Sequence, residues 1–400
     1  MAELAHFQNF AKLKDTSIEF NDITVLAGKP GTGKSYVMKM MYAIHKALDL
    51  IKSEYIELTG QMNKQMLEYL KLVEEYKSQP ASNLLDAEKI LLKLDEFDKK
   101  SIHLHNYIND GKFDKKIEKL RKRFLQNLLE SMFGDIEQIS SSFKIKLGYS
   151  SIVYSNSNLK KFTFHAKSID GKDTFMLYED FSMYENKFQQ EPIFVETPLI
   201  LEFKSFITRE KGKTPYHIES LLNILDKDYS FTDEEQDKLI KSFREKSQSI
   251  IGGDIESSGD SFIFNRKNDK NYDILNASSG IKSIGLLQYL VTNKALKKGS
   301  ILFWEEPEVH LHPEWQLRMV ELFVELMNAG VKIVFSTHSP YMADYLNAIS
   351  QKNEFRDRIS FNLLKESDGV VENIILNKES WNEIQTELLD PLEEIVWEYL

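Results

Sequence analysis

Hydrophobic and polar positions follow two different periods along this chain. Near the start, Phe7, Phe10 and Leu13 stand among polar residues. Ser17-Ile18-Glu19-Phe20 alternates, and Ile23-Thr24-Val25-Leu26-Ala27 forms a β-branched, apolar run closed by Gly28. Such a run reads as a buried strand. Beyond the glycines, Ser35 to about Leu50 reads as a helix. From about Lys52 to Gly134 the chain is dense in Lys, Glu, Leu and Gln. Its apolar residues, such as Met66, Leu70 and Val73, keep helical spacing, and Pro80, Asn83 and Gly111 interrupt it. That pattern predicts a helical insertion over 51–142, either a lid or a short coiled-coil hairpin. Its plainest reading is a solvated helical surface without chemistry of its own.

Strand character returns over 143–207, in Ser151-Ile152-Val153-Tyr154, Phe162-Thr163-Phe164-His165, Pro192-Ile193-Phe194-Val195 and Leu199-Ile200-Leu201-Glu202-Phe203. Gly171-Lys172-Asp173 reads as a hairpin turn. Residues 216–250 read as helical. Gly252-Gly253 opens a hairpin that continues through Ser261-Phe262-Ile263-Phe264 and Asp273-Ile274-Leu275. A helix follows at Gly280–Asn293, then a buried strand at Ile301-Leu302-Phe303-Trp304. Pro313–Asn328 reads as a helix and Val331–Phe335 as another buried strand. Strands alternating with helices argue for an α/β fold with a mostly parallel sheet.

Composition narrows the class. The chain has 400 residues, 42% of them hydrophobic, enough for one large domain with an insertion or for several domains. No apolar run approaches the roughly 18–20 residues that cross a bilayer. Met1–Leu13 has neither a continuous apolar core nor a small-residue cleavage site, so no signal peptide is expected. The absence of cysteine excludes disulfides and thiolate chemistry and fits a cytoplasmic setting. A net charge of −11 argues against a protein that coats DNA, though a local basic groove remains compatible with it.

The chemistry starts at Gly28-Lys29-Pro30-Gly31-Thr32-Gly33-Lys34-Ser35, which meets every fixed position of the G-x-x-x-x-G-K-[ST] phosphate-binding loop. The glycines let successive N–H groups turn toward phosphates, and the following helix presents the positive end of its dipole. Lys34 is expected on the β- and γ-phosphates of ATP, and the Ser35 hydroxyl on Mg²⁺.

Glu305 and Glu306 close the apolar run 301–304. In a P-loop ATPase, the end of the strand beside the loop is where an acid belongs. Glu305 would hold Mg²⁺ and Glu306 would polarise the attacking water. The alternative is a solvated acidic turn. His310 and His312 lack further ligands at metal spacing and read as a structural or interface loop. Ser278-Ser279-Gly280 opens a helix, which is either another anion-binding N-terminus or a plain N-cap. His338, in Ser336-Thr337-His338-Ser339-Pro340, ends a buried strand. It is either a loop histidine or a γ-phosphate sensor.

Taken in order, these motifs resemble the ABC-type head of SMC-like and OLD-like ATPases. Asn276-Ala277-Ser278-Ser279-Gly280-Ile281-Lys282-Ser283 is similar to their signature. Glu305-Glu306-Pro307-Glu308-Val309-His310-Leu311-His312-Pro313 and Ser336–Pro340 are similar to the acidic and switch motifs of the OLD-like branch. The resemblance covers about 1–50 and 250–348. Pro30, Glu305 and Ile281 depart from the residues commonest at their positions.

The resemblance implies an α/β P-loop NTPase of ABC/SMC-head type with a mixed sheet core. The head would comprise 1–50 and 143–400. It further implies ATP hydrolysis with Glu306 as catalytic carboxylate and His338 on the γ-phosphate. Ser278, Ser279 and Gly280 would reach the nucleotide of a second copy, so that ATP joins a homodimer or higher oligomer. The stretch after Ser350 is too short for the nuclease domain many OLD-like proteins carry. The chain is therefore expected to resemble antiphage ATPases that control a separate nuclease or toxin. A DNA-handling clamp is the alternative. A glutamine loop has no clear place; Gln138, Gln189 and Gln190 are candidates.

Overall fold

The strand that leads into the P-loop belongs to the buried hydrophobic core. In the computed structural model, β3 (Ile23–Ala27) is buried at every position. The structure describes residues 3–47, 49, 129–133, 142–149, 162–169, 172–178, 191–204, 214–227, 229, 233–267, 270–377 and 379–389. The chain divides into two units, Met1–Lys46 with Asn127–Leu400, and Ala47–Gln126. The insertion expected over 51–142 lies outside the described residues, except 129–133, a helical turn, and Ser142, which is a strand residue and not part of a helical insertion. So do the strand expected at 151–154 and the candidates Gln138, Gln189 and Gln190.

Helices cover both faces of the sheet around β3. The strands β7 (Ile193–Val195), β11 (Ile301–Glu305), β12 (Lys332–Thr337), β3 and β13 (Ile359–Ser367) run parallel, each to its neighbour. Successive side chains of a strand point to opposite faces. On β11, Phe303 lies 6.1 Å from the Tyr42 ring of α1 (34–47), whereas Trp304 lies 6.3 Å from Phe323 of the helix Pro313–Asn328. A strand covered on both sides reads as a continuous apolar run, which is why 23–27 and 301–304 stood out.

The remaining strands turn the sheet antiparallel. The full order is β6-β5-β4-β1-β2-β14-β13-β3-β12-β11-β7, with β1 at Glu3–Phe10, β2 at Leu13–Phe20, β4 at Ser142–Tyr149, β5 at Phe162–Ile169, β6 at Lys172–Tyr178 and β14 at Val370–Ile375. Five of its neighbour pairs are parallel and five antiparallel. The sheet is therefore mixed, not mostly parallel, because β13 and β14 join a hairpin to the parallel core. Buried Asn362 on β13 helps close that junction. Its side chain donates to the Glu19 carbonyl at 2.9 Å and accepts the Glu19 N–H at 3.0 Å.

A second sheet, β8 (Gly253–Ser258), β9 (Ser261–Arg266) and β10 (Tyr272–Asp273), lies under the helix α2 (Ser279–Thr292). Buried Gln288 ties the two together. It accepts from Ile255 N at 2.9 Å and donates to Ser247 Oγ at 2.9 Å.

Three local expectations change. Leu199–Phe203 is not a strand: Ile200–Phe203 is a helical turn, with Leu199 N–H donating to Thr197 Oγ1 at 3.2 Å. A short apolar run does not by itself distinguish strand from helix. Lys172 and Asp173 are not turn residues but belong to β6, with Ile169 paired to Lys172. Ile274 and Leu275 form a 3₁₀ turn in place of a strand, with Asp273 capping Leu275 N. Strands β13 and β14 and the helix Pro340–Ser350 had no counterpart in the sequence reading.

Candidate functional site

The P-loop wraps because its glycines take conformations other residues avoid. Gly28, Gly31 and Gly33 have φ of 133°, 80° and 93°. At Gly28 a Cβ would stand 2.2 Å from the Leu364 carbonyl oxygen, so this position is closed to any other residue. Thr32 Oγ1 donates to the Lys29 carbonyl at 2.9 Å. Lys34 folds over the loop and donates to the carbonyls of Gly28 and Lys29 at 2.8 and 2.9 Å. Burial pulls its ammonium down to about 8, while Glu306, Glu308 and Glu305 act in the opposite direction.

A cavity of about 650 Å³ opens in front of the loop. It is lined by Pro30, Gly31, Gly33, Lys34, Ser35 and Tyr36, by Glu306 and His338, and by Ala11 and Lys12 of the β1–β2 turn. Parallel strands bring their carboxyl ends to one edge, so β3, β11 and β12 deliver the loop, the acids and the histidine together.

Glu306 has φ of 45°, a left-handed conformation that costs a non-glycine residue of order 1–3 kcal/mol. Its N–H is held by the Ser336 carbonyl at 3.1 Å and Ser336 Oγ at 3.2 Å. That anchoring turns the carboxylate toward the cavity, where it lies 3.4 Å from His338 Nε2. Burial, and then the Lys34 ammonium, hold the His338 imidazole below its usual range despite Glu306. The ring is therefore neutral at neutral pH and can donate one hydrogen bond.

Glu305 lies one residue deeper. Burial pushes its carboxyl up to about 7, while Lys39 and the nearby Ser35 hydroxyl act in the opposite direction. Its Oε1 is buried and has no partner among the described residues. A buried carboxylate oxygen beside a hydroxyl suits a small hard cation. Among the described residues, no group of three or more His, Asp and Glu side chains is placed to hold a metal unaided. A cation here would need phosphate oxygens or water as further ligands.

Ser278, Ser279 and Gly280 do not line this cavity. Ser278 caps α2, accepting the Ile281 N–H at 3.4 Å. A Cβ on Gly280 would meet Trp315 at 3.2 Å and the His310 carbonyl at 3.3 Å. His312 has a structural part: its Nδ1 accepts the Glu314 N–H and caps the helix Pro313–Asn328.

Glu308 has a place in the site that its motif did not announce. Its Oε1 accepts the His338 N–H at 2.6 Å, joining the loop after β11 to the loop after β12. Burial holds its carboxyl above the ordinary range. Ala11, Lys12 and Tyr36 also went unread, and no local pattern marks them. Glu196 did carry a signal, since Ile193-Phe194-Val195-Glu196 repeats in short form the apolar run ending in an acid at 301–305.

A P-loop at the carboxyl edge of an α/β sheet, faced by an acid and a histidine from neighbouring strands, defines a P-loop NTPase. The family model for the AAA ATPase domain matches residues 6–343, and the chain belongs to that family of ATP-binding ATPases. Three solved structures are similar in outline. An SMC head domain from Thermotoga maritima is 10% identical at a TM-score of 0.45, covering 94% of this chain and 99% of that one. An SMC head bound to the C-winged helix domain of ScpA is 11% identical at 0.47, covering 96% and 99%. A third, derived from Pyrococcus furiosus, is an Smc head with an extended coiled coil bound to the C-terminal domain of ScpA. It is 12% identical at 0.45, covering 97% and 99%. No curated protein matches the chain. Among the described residues, no helix is long and apolar enough to cross a membrane.

Proposed function

We propose that the chain is a Mg²⁺-dependent ATPase whose site is completed by a second copy, and that hydrolysis opens the joint between them. The observation that carries the first half is the convergence of Lys34, Glu306 and His338 on the P-loop cavity. Lys34 leaves the loop carbonyls for the β- and γ-phosphates, exchanging neutral acceptors for charged ones. Glu306 accepts a proton from water lined up on the γ-phosphate, and His338 donates to a γ-phosphate oxygen. Mg²⁺, held by Ser35 and Glu305, would neutralise charge on the phosphate oxygens. The second half rests on the α2 N-terminus. It is capped only by Ser278, bears helix-end N–H groups and lies away from the cavity of its own chain, as a site meant for the nucleotide of a partner would.

Glu306→Gln is expected to lower turnover by about 10²–10⁴-fold, the usual share of a general base, with ATP affinity retained. The variant should accumulate as an ATP-bound dimer in light scattering. A variant that hydrolyses ATP at the wild-type rate removes Glu306 from the mechanism.

The work done with ATP is proposed to be control of a separate effector, a nuclease or toxin, through the two states of the joint. The net charge of −11 supports a protein partner over a nucleic-acid track. The check is capture of a neighbouring gene's product by the Glu306→Gln protein with ATP. Salt-sensitive DNA binding by the ATP state alone would replace this reading with a DNA clamp.

A further inference from the structure

Edge strand β7 ends beside the acids of β11. Val195 is in register with Trp304, so Glu196 and Glu305 leave the sheet side by side. Two carboxylates this close repel, and each needs its own compensation. Ser35 and Lys39 lie four residues apart on α1 and so share a helix face. Lys39 thus lies on the face of α1 that carries Ser35, close enough that Glu305 feels its charge as well as that of Glu196.

The structure settles which acid Lys39 takes. Lys39 Nζ donates to Glu196 Oε1 at 3.0 Å. The other oxygen, Oε2, lies 2.6 Å from Nε2 of buried His217. Both oxygens of Glu196 are therefore used, whereas Glu305 keeps Oε1 without a partner among the described residues. An ammonium and a divalent cation compete for the same carboxylate. We propose that Glu196, braced by His217, is a positioning residue that holds the Lys39 ammonium off Glu305 and so keeps the Glu305–Ser35 corner free for Mg²⁺. The inference rests on the Mg²⁺–ATP reading above.

A second bracket lies further along the same helix. Lys46 pairs with Glu191, which also meets Lys227 at 3.4 Å. It ties β7's leading segment to α1 independently, so neutralising Glu196 leaves the segment attached.

The probe is Mn²⁺, followed by electron paramagnetic resonance in the presence of ATPγS. Glu196→Gln is expected to weaken Mn²⁺ binding by about 10-fold or more, the range for groups that orient metal ligands. Adding Lys39→Met should restore near wild-type binding, since the competing ammonium is gone. Unchanged Mn²⁺ affinity in Glu196→Gln overturns the inference, as does a double variant that stays weak, because Glu196 would then act by shape or direct ligation. If Glu196→Gln does not fold, Lys39→Met alone decides: affinity at or above wild type supports the inference, and a loss overturns it. Wild-type protein that binds ATPγS but no Mn²⁺ removes the inference and the Mg²⁺ assignment together. Failure to bind ATPγS at all removes the ATP reading itself.

Discussion

The P-loop corner and the turn at Ser278–Gly280 are both glycine-bearing helix N-termini, and the fold finishes them differently. At the first, three parallel strands bring Lys34, Glu306 and His338 to one cavity, with Glu305 just behind it, and Glu308 bonds two of the loops together. At the second, Ser278 caps its own helix, and Trp315 and the His310 carbonyl pack against Gly280. One corner gathers side chains from several elements toward a single point. The other has a firm base and no partner across from it within the cavity of its own chain. On the proposed two-copy reading, that difference separates a half-site that binds from a half-site that is brought to another molecule.

The largest effect should come from the first corner. Lys34→Ala is expected to weaken ATP binding by about 100-fold or more, consistent with about 2–5 kcal/mol for removing one partner of a buried charge pair. Titration with a fluorescent ATP analogue measures it, and affinity within a few-fold of wild type would break the assignment of the cavity. Ser278→Arg tests the second corner. ATP binding should stay close to wild type, while ATP-dependent dimerisation and turnover are lost. Full ATPase activity in this variant would leave a single-chain site and end the contrast between the corners.

Glu308→Ala should have a smaller effect. It removes the acceptor for the His338 N–H, so turnover should drop by about 10-fold, the scale of losing one hydrogen bond to a charged group. ATP affinity should hold, and Glu308→Gln, which keeps an acceptor oxygen, should recover most of the rate. If both variants match wild type, the two loops are aligned by the sheet alone.

A test of stability, not of binding or turnover, concerns how deeply the first corner is rooted. Burial, with help from Lys332, pulls His45 on α1 down to about 3. A histidine depressed in the folded state binds its proton more readily when unfolded. Its contribution is therefore intact above about pH 6.5 and falls away as pH drops toward 3, by about 1.4 kcal/mol per pH unit at most. Urea unfolding at stepped pH should show a shallower acid slope for His45→Phe than for wild type. Identical slopes would place the acid sensitivity elsewhere.

Short-range patterns made part of this molecule legible. The buried strands 23–27 and 301–304 announce themselves because both faces are covered, and Pro313–Asn328 because proline and periodicity bound it. The phosphate loop is equally local, since its glycines answer to backbone angles within a few residues. Strands β13 and β14 were invisible, and Leu199–Phe203 misleading, because pairing partners and burial, not periodicity, decide them. The β1–β2 hairpin is local, but the antiparallel half of the sheet also depends on β1 meeting β4, a pairing made across more than a hundred residues.

The same division holds in the site. The sequence by itself determined which residues are candidates for phosphate chemistry and in what order they stand along the chain, because those demands are local. Only the tertiary structure decided which of them meet. It set Glu306 against His338, gave Glu308 to a backbone N–H, and sent Lys39 to Glu196 rather than Glu305. Those choices turn on distances between strand ends far apart in the chain, and charge responds to distance and burial, not to position in a sequence.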